Sequence, residues 1–341
     1  MTNVQNQIVL ASRPEGWVTP DNFRAQDAPI PEPGTGQLLL EHLYLSVDPY
    51  MRGRMNATKS YVPPFEIDAP IMGGGVARVV ATHHPRFQVG DIVVGMLSWQ
   101  EFSLSDGADL RKVERGAAPL SYHLGILGMP GQTAYVGLME VAKLRPGETV
   151  FISAAAGAVG SVAGQIARQL GCYVVGSAGS DDKVTLLTEA FGYDAGFNYK
   201  TVGAPHEALA KHFPRGIDVV FENVGGPVFE AAIWNIALHG RIALCGMIAD
   251  YNATRADMPA GPRGMTTLIG RNATLQGFIV SNYPAAARKW DVLCRRWLAE
   301  GKLNYQETVS EGLTSAPAAF IGMLKGENRG KQIVRIKPDE E

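Results

Sequence analysis

A short alanine and glycine turn at positions 155–160 has the clearest chemical potential in this chain. An apolar run ends just before it, and a helical pattern begins at Val159. Gly157 lets backbone N–H groups approach an anion without a Cβ in the way, and Gly160 lets the helix lie close to the strand. The turn therefore predicts a pyrophosphate site for a dinucleotide, with a glycine turn that serves packing alone as the alternative.

A second polar group follows the next predicted strand. NAD-binding folds place an acidic residue at this strand end, where it bonds the ribose hydroxyls. Here positions 176–180 contain no acid, and Ser180 and Lys183 supply a hydroxyl and an ammonium group. Tyr199 ends the following strand, so its phenol can reach the same place. These residues favour NADP through its 2'-phosphate, with an exposed helix lysine as the alternative for Lys183.

Two aspartates complicate this charge argument. Asp181 and Asp182 stand between Ser180 and Lys183 in the sequence. They would repel a phosphate unless they point away from it and cap the helix.

The chain pattern that positions these residues changes at Gly128. Before it, short β-rich segments broken by proline and glycine predict a barrel-like β domain. After it, apolar strands alternate with amphipathic helices, which predicts a doubly wound parallel sheet of the α/β class. The predicted strands are 149–154, 173–177, 195–198, 218–222, 241–245 and 275–280, and the predicted helices are 159–170, 182–191, 206–212, 228–238 and 285–300.

The last residues return to a strand pattern at 330–336, which predicts that the tail pairs with the first domain. We therefore predict a first β segment at 1–127, a dinucleotide-binding domain at 128–302, and a return to the β domain at 303–341.

Composition limits the class of partner. The 341 residues suffice for two domains, and a net charge of -2 argues against a strongly basic surface for nucleic acid or membranes. The first residues lack a signal-peptide pattern, and no segment stays apolar long enough to span a bilayer. We expect a cytoplasmic protein that acts on a small molecule.

Cysteine usage argues against a metal or disulfide framework. The three cysteines, Cys172, Cys245 and Cys294, lie far apart in the sequence. They cannot form a Cys-x-x-Cys zinc site, and no cysteine precedes Cys172. We expect buried apolar cysteines and no bound metal.

Taken together, the motifs resemble those of the zinc-independent medium-chain reductases, and more closely the prostaglandin reductase and alkenal double-bond reductase family. Bacterial members that act on curcumin-like enones are the most similar, through positions 48–55 and 275–279. The resemblance runs through motifs at 45–52, 128–135, 154–160, 179–183, 197–200, 222–226, 251–252 and 323–326.

This resemblance implies a GroES-like barrel domain completed by the tail, a Rossmann domain, an active site in the cleft between them, and a homodimer. It assigns the phosphates to the glycine turn and to Lys183 and Tyr199, and the rest of NADP to further positions. The residues it assigns to the cofactor are Gly157, Ala158, Val159, Gly160, Lys183, Tyr199, Asn223, Cys245, Gly246, Met247, Ile248, Ala249, Asp250, Tyr251, Phe278, Ile279, Val280 and Asn328.

The activity that the resemblance implies is NADPH-dependent reduction of the double bond in α,β-unsaturated ketones or aldehydes. Without a metal, hydrogen-bond donors must hold the enolate oxygen. Tyr251 follows the fifth strand at the carboxyl edge of the sheet, so we predict that it is the catalytic donor, with cofactor positioning alone as the alternative. A quinone reductase and a non-catalytic NADPH sensor stay open as other functions.

Overall fold

The computed structural model describes residues 4–58, 60–116, 118–254 and 256–339. In chain order the strands are β1 Val4–Leu10, β2 Phe23–Pro29, β3 Leu38–Ser46, β4 Met72–Thr82, β5 Ile92–Ser98, β6 Phe102–Ser105, β7 Arg111–Val113, β8 Thr149–Ile152, β9 Tyr173–Ala178, β10 Ala195–Asn198, β11 Ile217–Glu222, β12 Ile236–Leu244, β13 Thr274–Gly277, β14 Glu307–Glu311 and β15 Lys331–Arg335. The α-helices are α1 Tyr50–Arg54, α2 Met129–Val136, α3 Gly160–Gln169, α4 Asp181–Glu189, α5 Pro205–His212, α6 Gly226–Trp234, α7 Met265–Gly270, α8 Pro284–Ala299 and α9 Ala316–Leu324.

The chain divides into two compact units. The β unit contains the residues up to Leu124 together with Glu307–Asn328 and the chain from Gln332 onward, and the α/β unit contains Gly125–Gln306 and Arg329–Lys331. The sequence prediction placed the whole of 303–341 in the β domain. The structure instead assigns residues 303–306 and Arg329–Lys331 to the α/β unit.

The β unit is built on a seven-stranded sheet in the order β14-β15-β3-β4-β5-β7, with β6 also paired to β3. Leu43, Val76 and Ile92 are buried in one apolar cluster within it. The tail strand β15 runs antiparallel to β3, with Ile333 opposite Ser46. The predicted pairing of the tail with the first domain is therefore confirmed.

The α/β unit contains six parallel strands in the order β10-β9-β8-β11-β12-β13. Helices α3, α4, α5 and α6 follow β8, β9, β10 and β11 along the chain. Phe151, Val175 and Val220 are fully buried in its core, as expected for strands covered on both faces. The predicted doubly wound sheet is confirmed, and the carboxyl ends of its strands share one edge.

The largest boundary errors in this unit lie between α6 and β12 and at the end of β13. The helix predicted at 228–238 ends at Trp234, because Asn235 accepts Ile217 N–H at 2.9 Å and the chain then joins the sheet as β12. Apolar spacing continues across this point, so the sequence pattern does not reveal the change. The strand predicted at 275–280 stops at Gly277, and a 3-10 turn follows at Val280–Asn282.

None of the helices in the described part of the chain has the length and apolar character that a membrane crossing needs.

Candidate functional site

The glycine turn lies at the carboxyl end of β8, near the middle of the sheet. Ala155 N–H donates to Ser177 O at 2.9 Å, and Gly157 N–H donates to Ala154 O at 3.0 Å. Ala154 has a positive φ of 48°, whereas Ala155 has a negative φ. The turn therefore accommodates alanine at the position where glycine is commoner, because the left-handed conformation falls one residue earlier.

Gly160 begins α3 and brings that helix against the turn. A Cβ on Gly160 would lie 2.4 Å from Ala154 O and 2.7 Å from the Ala155 Cα, so only glycine fits without a backbone shift. The Tyr193 hydroxyl donates to Gly160 O at 2.7 Å. A Cβ on Gly157 would meet only Ala154 O, at 3.2 Å. Gly160 thus lets helix α3 pack directly against the turn after β8. Gly157 leaves open space on the other side of this turn.

The end of β9 presents Ser180 as the N-cap of α4. Its Oγ accepts Lys183 N–H at 3.4 Å. The two aspartates are held by other partners, since Asp181 accepts a hydrogen bond from Asn198 Nδ2 at 2.8 Å and Asp182 pairs with Arg329 at 2.8 Å. The serine caps this helix, not the aspartates.

Basic groups surround the same turn. Burial lowers the pKa of Lys183, and so do the neighbouring charges of Lys200 and Arg329. The Lys200 Nζ lies 5.9 Å from the centre of the Tyr199 ring. The Tyr199 hydroxyl lies close to Gly179, where a Cβ would be 3.1 Å from it. Lys183 and Tyr199 are therefore brought to one place, together with two cations that the sequence did not suggest.

The end of β11 contains a buried carboxyl group. Glu222 Oε1 accepts hydrogen bonds from Ser153 Oγ at 2.9 Å, Val224 N–H at 2.6 Å and Gly225 N–H at 2.7 Å. Its Oε2 is buried without a hydrogen-bond partner among the described residues. Burial raises the pKa of Glu222 to about 7, despite these donors. The carboxyl therefore joins the turn after β8 to the turn after β11.

Asn223 belongs to the same network. Its Nδ2 donates to Ser153 O at 2.8 Å, and its own O accepts Ile248 N–H at 3.2 Å. Ala249 N–H donates to Val224 O at 2.9 Å. Asn223 thus connects the turn after β8 to the loop after β12.

The loops after β12 and β13 face each other across an open groove of about 460 Å³. Both of these predicted cofactor segments line the groove. Segment 245–251 contributes its first three residues, and segment 278–280 contributes its first two. The lining residues are Leu244, Cys245, Gly246, Met247, Gly277, Phe278, Ile279 and Asn282. The Phe278 ring lies edge-on to Phe221, with 6.4 Å between ring centres. The structure therefore unites two predicted segments that are distant in the sequence.

Tyr251 follows a 3-10 turn at Ile248–Asp250, and its N–H donates to Ile248 O at 3.3 Å. Its side chain is half-buried. The hydroxyl folds back toward the groove and lies close to Gly246. A Cβ built on that glycine would be 3.1 Å from it. A phenolic donor thus lies beside a groove residue.

Cys245 lies beside Glu222 and is only half-buried at the groove, so the expectation that all three cysteines are buried is wrong for this one. Its N–H donates to Glu222 O at 2.8 Å. Burial, and then the Glu222 carboxyl, raise the pKa of the Cys245 thiol to about 12. The thiol is therefore neutral and does not act as a nucleophile near pH 7.

Asn328 and the residue after it follow α9 in the tail. Asn328 is half-buried in the β unit, and Arg329 begins the short segment of the α/β unit. Gly330 N–H donates to Ala156 O at 2.9 Å, so this segment is bonded to the glycine turn.

The sequence prediction missed Ser153, Glu222, Lys200 and Arg329. Glu222 stands in the family motif at 222–226, and this position was the only sequence feature that marked it. Arg329 had none, since its contact with Asp182 joins residues 147 positions apart.

In the described ranges, no group of three or more His, Cys, Asp or Glu side chains is arranged to hold a metal ion.

Comparison with known proteins connects this geometry to a family. Two family models match, "N-terminal domain of oxidoreductase" over residues 6–113 and "Zinc-binding dehydrogenase" over 158–294. NADPH-dependent curcumin reductase from Escherichia coli is 43% identical over 97% of both chains, and NADP-dependent 2-alkenal reductase from Nicotiana tabacum is 44% identical over 97% of both chains. The crystal structure of CurA from Vibrio vulnificus in complex with NADPH matches with a TM-score of 0.92 and 42% identity, covering 98% of this chain and 99% of CurA.

Proposed function

Because this chain belongs to the medium-chain oxidoreductase family that contains curcumin reductase and 2-alkenal reductase, as its motifs predicted, we propose that it reduces the carbon–carbon double bond of α,β-unsaturated ketones and aldehydes with NADPH. The observation that carries the proposal is the groove at the carboxyl ends of β12 and β13, with the Tyr251 hydroxyl beside it. Doubly wound folds bind their ligands at this edge.

The residues of the sheet edge fit the cofactor. Gly157 and Gly160 leave the turn open to a pyrophosphate, and Lys183 and Tyr199 lie where a 2'-phosphate would meet an ammonium and a phenol. When bound, NADPH would supply a hydride for the β-carbon of the substrate, and a proton from solvent would complete the reduction at the α-carbon. The remaining residues proposed to contact it are Ala158, Val159, Asn223, Cys245, Gly246, Met247, Ile248, Ala249, Asp250, Tyr251, Phe278, Ile279, Val280 and Asn328.

Tyr251 is proposed to stabilise the negative charge that develops on the substrate oxygen. Its hydroxyl donates a hydrogen bond to that oxygen, and the backbone bond between Tyr251 N–H and Ile248 holds the residue in place. The apolar side chains of Phe278 and Ile279 line the groove beside this hydroxyl.

The experiment is stopped-flow oxidation of NADPH in the presence of a series of enones. Tyr251→Phe is expected to lower the rate of enone reduction by about a hundredfold, the usual effect of removing one oxyanion donor. The Kd for NADPH should stay nearly unchanged. The control is Tyr173→Phe, because Tyr173 begins β9 at the end of the sheet away from the proposed cofactor edge. It should leave the rate and the Kd unaltered.

Other outcomes would favour the alternatives. An unchanged rate in Tyr251→Phe would remove its donor role. Turnover with quinones but not with enones of several sizes would favour a quinone reductase, and tight NADPH binding without any hydride transfer would favour a sensor. The homodimer implied by the resemblance and the cytoplasmic location expected from the sequence pattern stay predictions, and light scattering after size exclusion tests the first.

A further inference from the structure

Arg329 is the arginine that the tail brings to the cofactor edge of the α/β unit. The next residue, Gly330, is fixed on both sides, since its N–H donates to Ala156 O at 2.9 Å and a Cβ on it would lie 1.9 Å from Gln306 O. Gly330 also forms a parallel bridge with Gly157. The backbone of Arg329 is therefore anchored directly beside the glycine turn.

The side chain of Arg329 extends to the neighbouring turn. Its Nη2 lies 2.8 Å from Asp182 Oδ2, in the first turn of α4. Lys183 follows Asp182 directly, and the charges of Lys200 and Arg329 act on it. Three cations thus gather around one helix start, where the carboxylates of Asp181 and Asp182 offset part of their charge.

The ion pair between Arg329 and Asp182 contributes little to the fold. Half of the Arg329 side chain and 76% of the Asp182 side chain are exposed to solvent. Exposed pairs of this kind stabilise proteins by about 0–1 kcal/mol. The guanidinium can therefore change partner at small cost, and a phosphate offers it more charge and a planar, bidentate contact.

We propose that Arg329 determines specificity for NADPH over NADH by binding the 2'-phosphate together with Lys183, and that Asp182 holds the guanidinium in place until the phosphate replaces it. The inference rests on the proposed use of NADPH. It adds to that proposal a residue from the tail and a carboxylate that opposes phosphate binding.

The test measures cofactor binding alone, so it does not depend on turnover. The Kd values of NADPH, NADH and adenosine 2',5'-bisphosphate are determined by fluorescence or calorimetric titration at low and high salt. Arg329→Gln is expected to weaken NADPH and the bisphosphate about tenfold, the lower end for a hydrogen bond between charged groups, and to leave NADH unchanged. The salt dependence of NADPH binding should decrease as well.

Asp182→Asn is expected to change the affinity for NADPH in the opposite direction. It should tighten NADPH binding by about two- to threefold, because it removes a carboxylate that repels the phosphate. Arg335→Gln breaks a similarly exposed pair with Glu311 and serves as the control, with no expected change. Arg329→Lys should recover part of the affinity for NADPH.

Three results would overturn the proposal. Arg329→Gln could leave NADPH binding unchanged, or it could weaken NADPH and NADH by the same factor, as a purely structural link between tail and α4 would. Asp182→Asn could also weaken NADPH as Arg329→Gln does, which again indicates a structural link. If the wild-type protein binds the bisphosphate but reduces no enone, the proposed reaction fails while this inference stands.

Discussion

The turns after β9 and β11 lie at the same edge of one parallel sheet, but they use their charged residues in opposite ways. The turn after β9 is followed by the half-buried Lys183, and Lys200 after β10 and Arg329 from the tail lie at the surface beside it. The β11 turn encloses Glu222 completely. The difference is one of burial, since both turns carry ionisable groups at equivalent places in the fold.

Hydrogen bonding follows the same division. Glu222 is occupied by Ser153 and by two backbone N–H groups of its own turn, so the carboxyl builds the fold. The charges of Lys200 and Arg329 act on Lys183, and Arg329 also pairs with an exposed aspartate. Like charges near the surface favour the binding of an anion, whereas a buried carboxyl that accepts three hydrogen bonds does not. A charged residue at this edge therefore points to a ligand when it lies near the surface among like charges, and to the fold when it is buried with its own donors.

The largest effect is expected at Glu222, through pH. Its folded pKa of about 7 exceeds the ordinary value of 4.5, so the folded protein holds a proton that the unfolded chain releases. The stabilisation is complete below pH 4.5 and is lost as the pH rises to about 7. We expect Glu222 to lower the free energy of unfolding by about 3 kcal/mol between pH 5 and pH 8.

Glu222→Gln tests this effect, because it keeps an oxygen to accept the three hydrogen bonds and cannot ionise. Urea unfolding at several pH values should show a shallower decline for this variant than for the wild-type protein. Glu311→Gln, an exposed carboxylate in β14, should keep the wild-type slope. Identical slopes for Glu222→Gln and wild type would show that the β11 turn does not carry a protonated carboxyl.

The glycine turn after β8 lies between the two compared turns and combines both roles. Gly160→Ala should destabilise the fold by about 2 kcal/mol, since the new Cβ would meet backbone atoms at 2.4 and 2.7 Å. Gly157→Ala should cost less than about 1 kcal/mol, because its Cβ meets Ala154 O at 3.2 Å. Thermal unfolding and NADPH titration of both variants separate the roles, with Gly157→Ala expected to lose affinity at nearly unchanged stability. Equal destabilisation would contradict the division.

Local signals in the sequence were sufficient for much of this architecture. The six strands of the parallel sheet and the glycine turn follow from apolar runs, helical spacing and a strand-to-helix junction, all within a few residues. The end of α6 was not predictable in this way, because Ile236 continues the apolar spacing of the helix while its backbone pairs with Ile217. Tertiary pairing decided that boundary.

The site was predictable only where it is local. Ser180 and Lys183 could be recognised from their place after β9, and the loop segments around the groove came from family resemblance. The role of Glu222 depends on burial and on Ser153, which lies 69 positions earlier. Arg329 reaches the site through the return of the tail to Ala156. Contacts of such long sequence separation leave no trace in residue spacing.

The smallest effect on stability is expected at Lys183. Removing it relieves its burial and its repulsion by Lys200 and Arg329, so Lys183→Ala should change the free energy of unfolding by less than about 0.5 kcal/mol. The same variant should weaken NADPH binding about tenfold or more and leave NADH unaffected, because only NADPH carries the 2'-phosphate. Lys289→Ala, an exposed lysine of α8, is the control. An equal loss for both cofactors, or a large loss of stability, would place Lys183 with Glu222 among the residues that build the fold.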